Sequence, residues 1–245
     1  MKVLAIDTST SLLGIGLQSE KQYFELNQDV GLHHSENLLT EVQYLFNKSK
    51  IPANELDLIV VSKGPGSFTG LRIGMSTAKG LSFGGQIPVV SVPTLDMYAY
   101  SCDMYPQKVL SLLDARKNRV YAAFYTHGLQ EGEILDIPPA ELIDAFSSFQ
   151  DILLTGPYAG HMFELYSQIN AAKSSRPSAS VATSNRVSID PLYAAPKTYA
   201  LLKLGIRAFE RNGGDAENQG PLYIRPSEAE MSLQKRGDST KHYEQ

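Results

Sequence analysis

Two aspartates close short apolar strands and are each followed by a polar turn. Asp7 precedes Thr8-Ser9-Thr10-Ser11, and Asp114 precedes Ala115-Arg116-Lys117-Asn118. A strand-end carboxylate beside a hydroxyl-rich turn can hold a magnesium-bound phosphate while turn amides cradle its oxygens. The same residue can equally cap its own turn. A second candidate is Gly64-Pro65-Gly66-Ser67-Phe68-Thr69-Gly70, a glycine-rich loop opening a helix whose first amides could bind an anion. Leu71-Arg72 stands where a P-loop would carry Gly-Lys-Ser/Thr, and the loop does not follow the first strand as a dinucleotide fingerprint would. It reads as a turn shaped for close packing. Arg72, in the first helical turn, opposes the helix dipole and so requires a carboxylate or carbonyl partner.

Other chemistries lack their residues. His33 and His34 would need helical mates three or four positions on, but Asn37 and Leu38 stand there, and His127, His161 and His242 are isolated. No metal site is expected. Cys102 is the single cysteine and has no nearby histidine, and no Gly-x-Ser-x-Gly elbow occurs. No catalytic residue is expected.

The elements that position these groups follow from periodicity. Val3–Asp7, Leu12–Leu17 and Gln22–Leu26 read as strands of a meander. His34 to Phe46 places Leu38, Leu39, Val42, Leu45 and Phe46 on one helical stripe. Strand Leu58–Val61, a helix from Gly70 to Phe83 capped by Ser67 or Thr69, and strand Pro88–Val92 complete the order βββαβαβ. A similar pattern restarts with strands Val109–Leu113, Arg119–Tyr125, Gly132–Asp136 and Ile152–Thr155. Asp7 and Asp114 then occupy the same place in two copies, 114 minus 7 or 107 residues apart. This predicts an internal duplication, a first lobe over 1–103 and a second, degenerate lobe over 104–226. Residues 171–190 read as irregular, Lys197 to Arg211 as a helix, Pro221 to Pro226 as extended, and 227–245 as a flexible polar tail.

The helix over 70–83 carries Gly70, Gly74 and Ala78 on one nearly bare face, although each interior glycine costs about 1 kcal/mol. Such a face calls for a second backbone close by. Two origins for that backbone stay open: the chain's own lobe, or a helix pair of another subunit docking on both first-lobe helices. In the second case Leu38, Leu39, Val42, Leu45, Gly70, Leu71, Gly74, Met75, Ala78 and Leu81 would form the partner surface.

The chain has 245 residues, 42% hydrophobic and 20% charged, with a net charge of −4. That balance gives no global basic field for nucleic acid. The N-terminus enters a strand directly and no apolar run nears the roughly 20 residues of a membrane span. The expectation is a soluble, cytoplasmic protein without membrane contact.

Leu4-Ala5-Ile6-Asp7-Thr8-Ser9-Thr10, His34-Ser35-Glu36-Asn37-Leu38-Leu39, Lys63 through Gly74, Asp114-Ala115-Arg116 and Pro221-Leu222-Tyr223-Ile224-Arg225, in this order, resemble the TsaB (YeaZ) family. The resemblance covers about residues 1–226. It implies an α/β fold of two related lobes, the actin/hexokinase/Hsp70-like (ribonuclease H-like) arrangement with mixed sheets flanked by helices. It also implies a non-catalytic subunit in threonylcarbamoylation of adenosine 37 in tRNAs reading codons that begin with A. In that family the chemistry belongs to a TsaD paralogue, held through the two first-lobe helices, and a TsaE ATPase joins the pair. A homodimer when alone and tRNA contact only through the complex follow. No cofactor is required by this chain, with a nucleotide (ATP or ADP) at the joints of the complex. Asp7, Thr8, Ser9 and Thr10 match a vestigial phosphate turn of the wider superfamily, and Arg116 stands where the opposing lobe would need a glycine-bearing loop. The alternatives are an ATP-binding phosphotransferase or ATPase of the same fold, and a direct tRNA-binding module using Arg116, Lys117 and Arg119.

Overall fold

The computed structural model describes residues 1–174 and 186–225. The expected tail over 227–245, and most of the segment expected to be irregular, lie outside those residues. The described chain is one plan executed twice. Strands β1 (Val3–Asp7), β2 (Leu12–Gln18) and β3 (Tyr23–Asp29) form a meander. Helix α1 (His34–Ser49), strand β4 (Leu58–Gly64), helix α2 (Phe68–Gly85), strand β5 (Val89–Pro93) and helix α3 (Thr94–Tyr100) follow. The second round runs β6 (Lys108–Asp114), β7 (Val120–Thr126), β8 (Leu129–Ile137), α4 (Pro139–Phe146), β9 (Asp151–Thr155), α5 (Ala159–Ser174), β10 (Arg186–Ile189) and α6 (Thr198–Asn212).

Both sheets carry the same strand order, β3-β2-β1-β4-β5 and β8-β7-β6-β9-β10. In each, the meander is antiparallel and the opening strand runs parallel to the fourth, with Val3 opposite Leu58 and Val109 opposite Leu153. This mixed topology, repeated with helices on both faces, is the actin/hexokinase/Hsp70-like fold. The parallel strands are buried on both faces, which is why Val3-Leu4-Ala5-Ile6 and Leu58-Ile59-Val60-Val61 read as continuous apolar runs.

Three cores follow from two sheets with two faces each. The outer face of the first sheet (Leu4, Ile6, Ile59, Val61) packs under α1 and α2 through Leu38, Val42, Leu45, Met75 and Ala78. The outer face of the second sheet (Leu110, Leu112, Leu154) packs under α4 and α5. Between the sheets lies a shared core built from Val3, Val60, Val90, Val109, Leu113 and Tyr125 with α3 and α6. Two helices cross the expected division at 103/104. The helix assigned to the second lobe, α6, lies on β1, β2, β4 and β5 of the first sheet, while α3 leans on β6 of the second. Each lobe therefore lends its last helix to the joint.

Four elements escaped the periodicity reading. Helix α3 is only seven residues long, with Leu95, Met97, Tyr98 and Ala99 buried. Helix α4 is only eight residues long, although Pro139 at its start and Leu142, Ile143 and Phe146 on one face are its signature. Helix α5 has apolar residues spread around its circumference, and residues 171–174 belong to it rather than to an irregular segment. Residues 186–189 form the edge strand β10, which the Ser-rich surroundings disguised.

Candidate functional site

The turn after β1 is sewn into the start of α2. Asp7 is 2% exposed and its Oδ1 accepts the Ser9 amide at 3.0 Å. Thr8 Oγ1 donates to the Gly70 carbonyl at 2.8 Å, the Ser67 amide donates to the Ser9 carbonyl at 2.7 Å, and the Gly70 amide donates to Ser67 Oγ at 3.2 Å. Thr10 Oγ1 takes the Leu12 amide at 3.1 Å. These bonds tie the turn to itself and to the start of α2, while the Ser9 hydroxyl is buried with no hydrogen-bond partner among the described residues. Across the cleft, Asp114 Oδ1 accepts the Arg116 amide at 2.8 Å and its Oδ2 pairs with the Arg116 guanidinium at 3.4 Å. Arg116, Lys117 and Asn118 all hold left-handed backbone, with φ of 60°, 53° and 54°, a conformation that costs side-chain-bearing residues.

The bare face of α2 has a backbone against it, and that backbone is the chain's own. A Cβ on Gly70 would fall onto the Thr8 carbonyl oxygen, and one on Gly74 onto Thr8 Oγ1. Of the ten expected partner residues, Leu38, Val42, Leu45, Gly70, Leu71, Gly74, Met75 and Ala78 are buried inside the chain and offer no surface. Leu81 is half-buried, and Leu39, expected on the stripe with Leu38, is 58% exposed. With successive residues about 100° apart on a helix, the opposite face of α2 carries Ser76, Gly80, Phe83 and Gly84. Those four are exposed, a Cβ on Gly80 or Gly84 would meet nothing within 4 Å, and Phe83 is 91% exposed. Beside it α1 presents Leu39 and Tyr44 to solvent. Sequence periodicity detects a bare stripe but does not say which stripe faces the sheet. The clue was Ser76-x-x-x-Gly80-x-x-x-Gly84, a second small-residue row on the same helix.

The two turns face each other across a cleft of about 1210 Å³, walled by Pro65-Gly66-Ser67-Phe68 on one side and Leu113 through Lys117 with Tyr121 and Pro157 on the other. Residues Leu222 to Arg225 also line it. Among the described residues Arg72 finds neither a carboxylate nor a carbonyl: its Nε donates to Tyr223 Oη at 2.8 Å and its guanidinium lies 4.0 Å from the Phe68 ring centre. Arg119 is bound to Asp136 at 2.8 Å, which takes it out of the basic strip expected for RNA.

A further polar cluster, not foreseen, sits at the joint between the lobes. Asp190 Oδ2 accepts from Thr155 Oγ1 at 2.9 Å and Lys197 Nζ at 3.2 Å, and its Oδ1 accepts the Leu192 amide at 2.9 Å. Burial pushes the Asp190 carboxyl up, but these hydrogen bonds and the Lys197 charge outweigh it and hold the group below its ordinary value. Cys102 lies 3.8 Å from the same oxygen, and burial above all raises its thiol to about 11, an unreactive value. Among the described residues no group of three or more His, Cys, Asp and Glu is placed to hold a metal ion. None of the described helices is long and apolar enough to cross a membrane.

Comparison with known proteins gives a consistent picture. The family model described as TsaD: tRNA N6-adenosine threonylcarbamoyltransferase matches residues 27–205. The chain is 36% identical over 139 residues to the tRNA threonylcarbamoyladenosine biosynthesis protein TsaB of Bacillus subtilis (strain 168), covering 56% of this chain and 61% of that protein. Against the protein of the same name from Escherichia coli (strain K12) it is 33% identical over 141 residues, 54% and 60% of the two. These matches span about three-fifths of the curated relatives' length. The solved structure of YeaZ from Pseudomonas aeruginosa superimposes with a TM-score of 0.69 at 25% identity, covering 91% of this chain and 99% of that one.

Proposed function

The chain belongs to the family described as TsaD, tRNA N6-adenosine threonylcarbamoyltransferase, in which it resembles the TsaB (YeaZ) proteins; on that premise we propose that it serves threonylcarbamoyladenosine biosynthesis as a non-catalytic scaffold and activating subunit. Its partner is a TsaD-type paralogue that carries the transfer to adenosine 37. A TsaE-type ATPase joins the pair, a nucleotide is bound only at the joints of the complex, and tRNA is met through the assembly.

The observation that carries this reading is the solvent face of α1 and α2. Leu39 and Tyr44 on α1 and Phe83 on α2 stand exposed, and the α2 row Ser76, Gly80 and Gly84 is nearly bare, so a helix could approach α2 closely. The bonds that tie the turn after Asp7 to the start of α2 support the non-catalytic part. An ATP-using phosphotransferase would need this turn open to a phosphate, and a direct tRNA module would draw on Arg116 and Arg119, which pair with Asp114 and Asp136.

The test is co-purification with the TsaD-type partner. Leu39→Asp with Phe83→Asp is expected to abolish the complex while far-UV circular dichroism stays that of the parent. A double variant that still brings down the partner overturns the assignment of this face. A stable interface here should bury about 1,200–2,000 Å² in total. Without the partner, the same face would close a two-fold homodimer.

A further inference from the structure

The chain leaves α6 at Gly213 and crosses from one lobe to the other, turning at Glu217 and Asn218 on the way. Its first hold is on the edge of the first sheet, where the Asp215 amide donates to the Val89 carbonyl at 2.7 Å and Asp215 Oδ2 accepts the Ser91 amide at 2.8 Å. The Glu217 carbonyl then accepts Lys79 Nζ at 2.7 Å. At the rim of the cleft the Leu222 amide donates to the Lys63 carbonyl at 2.6 Å. The Tyr223 ring stacks on Phe68 at 4.7 Å and its hydroxyl accepts from Arg72. Two residues later the segment has changed lobes. Arg225 Nε donates to Asp136 Oδ2 at 2.7 Å, its Nη2 donates to the Ala115 carbonyl, and the guanidinium lies 5.5 Å from the Tyr121 ring centre.

The lobes thus have two kinds of connection. At the base they share a core through α3 and α6, apolar and deeply buried. At the rim this short segment joins them, through polar and aromatic contacts that are only partly buried. A buried base with a separate tie at the rim has the mechanics of a hinge and a latch. We infer that residues 221–225 are an interlobe latch: Tyr223 and Arg225 hold the cleft shut, and releasing either one lets the lobes open about the shared core. The motif Pro221-Leu222-Tyr223-Ile224-Arg225 then has a physical role of its own, distinct from the partner face on α1 and α2.

Hydrogen exchange on the full chain reads this directly. In Arg225→Ala, amides of the cleft walls over 64–72 and 113–121 are expected to exchange about tenfold faster, the equivalent of about 1.4 kcal/mol, with those of β1 and β4 unchanged. Tyr223→Phe keeps the ring stack and loses only the hydrogen bond to Arg72, so it keeps the fold and should give a smaller rise at 64–72. Two results would overturn the latch: wall exchange unchanged in both variants, or exchange rising equally in the walls and in β1 and β4. The second would mean that the segment merely contributes to global stability. Neither depends on whether the α1–α2 face binds its partner.

Discussion

The first lobe buries the turn after its opening strand, whereas the second lobe leaves the matching turn in solvent. Asp7 is 2% exposed, while the side chain of Asp114 is 44% exposed. Yet both accept the amide two residues on, at 3.0 Å and 2.8 Å, so the local turn chemistry is identical. What differs is the helix that arrives. In the first lobe α2 brings glycines against Thr8; in the second, α5 starts with Gly160 against the side chain of Tyr193. A strand-end aspartate with its turn is therefore a property of the fold. Whether it becomes a site depends on what the neighbouring helix leaves unoccupied, and here α2 closes over Thr8.

The comparison breaks first where the lobes join. The start of α6 carries a buried ion pair, Lys197 with Asp190, whereas the start of α3 has Asp96, which accepts from Tyr125 Oη at 2.7 Å, and Thr94, buried with its hydroxyl unpartnered among the described residues. Asp190→Ala would leave the Lys197 charge and the Thr155 hydroxyl buried without their acceptor, and should cost about 3–5 kcal/mol in urea unfolding. Adding Lys197→Met should recover part of that loss, because the orphaned charge goes too. Thr94→Val, at the corresponding place, should lie within about 0.5 kcal/mol of the parent or above it. A cheap Asp190→Ala would mean the joint is held by its apolar core alone.

Next in size is the contrast between the two helix starts. Gly70→Ala drives a Cβ into the Thr8 carbonyl, a backbone atom that can move only with β1. A loss of about 3 kcal/mol is expected. Gly160→Ala meets the Tyr193 hydroxyl at 2.6 Å, the end of a side chain that can swing away, and should cost about 1 kcal/mol or less. Equal losses, read from the same urea midpoints, would remove the distinction between a turn locked by its helix and one that is not. For the same reason Gly74→Leu is a stability variant and not a probe of partner binding.

Much of this was legible in the residues. The first-lobe order βββαβαβ, the repeat of Asp7 as Asp114, and the buried parallel strands follow from apolar runs and turn chemistry, because those are local. Which face of α2 lies on the sheet was not. Gly70, Gly74 and Ala78 form as clean a row as Ser76, Gly80 and Gly84, and only the direction of the sheet decides between them. The exchange of α3 and α6 between lobes was equally hidden: Leu201, Leu202 and Gly205 declare a buried face, and nothing local says on whose sheet. The joint cluster brings together Cys102, Thr155, Asp190 and Lys197, which lie too far apart in sequence for spacing to signal a contact.

A smaller effect is expected at the exposed turn of the second lobe. Lys117 holds φ 53°, where glycine is at ease, so Lys117→Gly trades relief of left-handed strain against added freedom of the unfolded chain. A net gain of about 0.5–1 kcal/mol is expected. A loss would show that the Lys117 side chain contributes more to the turn than its backbone costs.

The smallest effect separates the lobes by pH. The first residue of α1 is His34, 3% exposed, and the first residue of α4 is Pro139, also buried, so only the first lobe places a titratable group beneath its turn. Burial lowers the His34 value, against the opposing pull of hydrogen bonding to the Leu12 and Thr10 backbone and of the Asp7 charge. The folded state thus binds this proton less readily than the unfolded chain does. The sign follows: the His34 contribution is complete above the ordinary histidine value of about 6.5 and is lost as pH falls through it, because the unfolded chain takes up the proton first. Urea midpoints between about pH 8 and about pH 5.5 stay above the ordinary carboxylate range. Over that span the parent should lose more stability than His34→Gln, whose side chain carries no charge at either end. If the two chains lose stability in parallel, the acid sensitivity lies elsewhere, and the turns of the two lobes differ in packing alone.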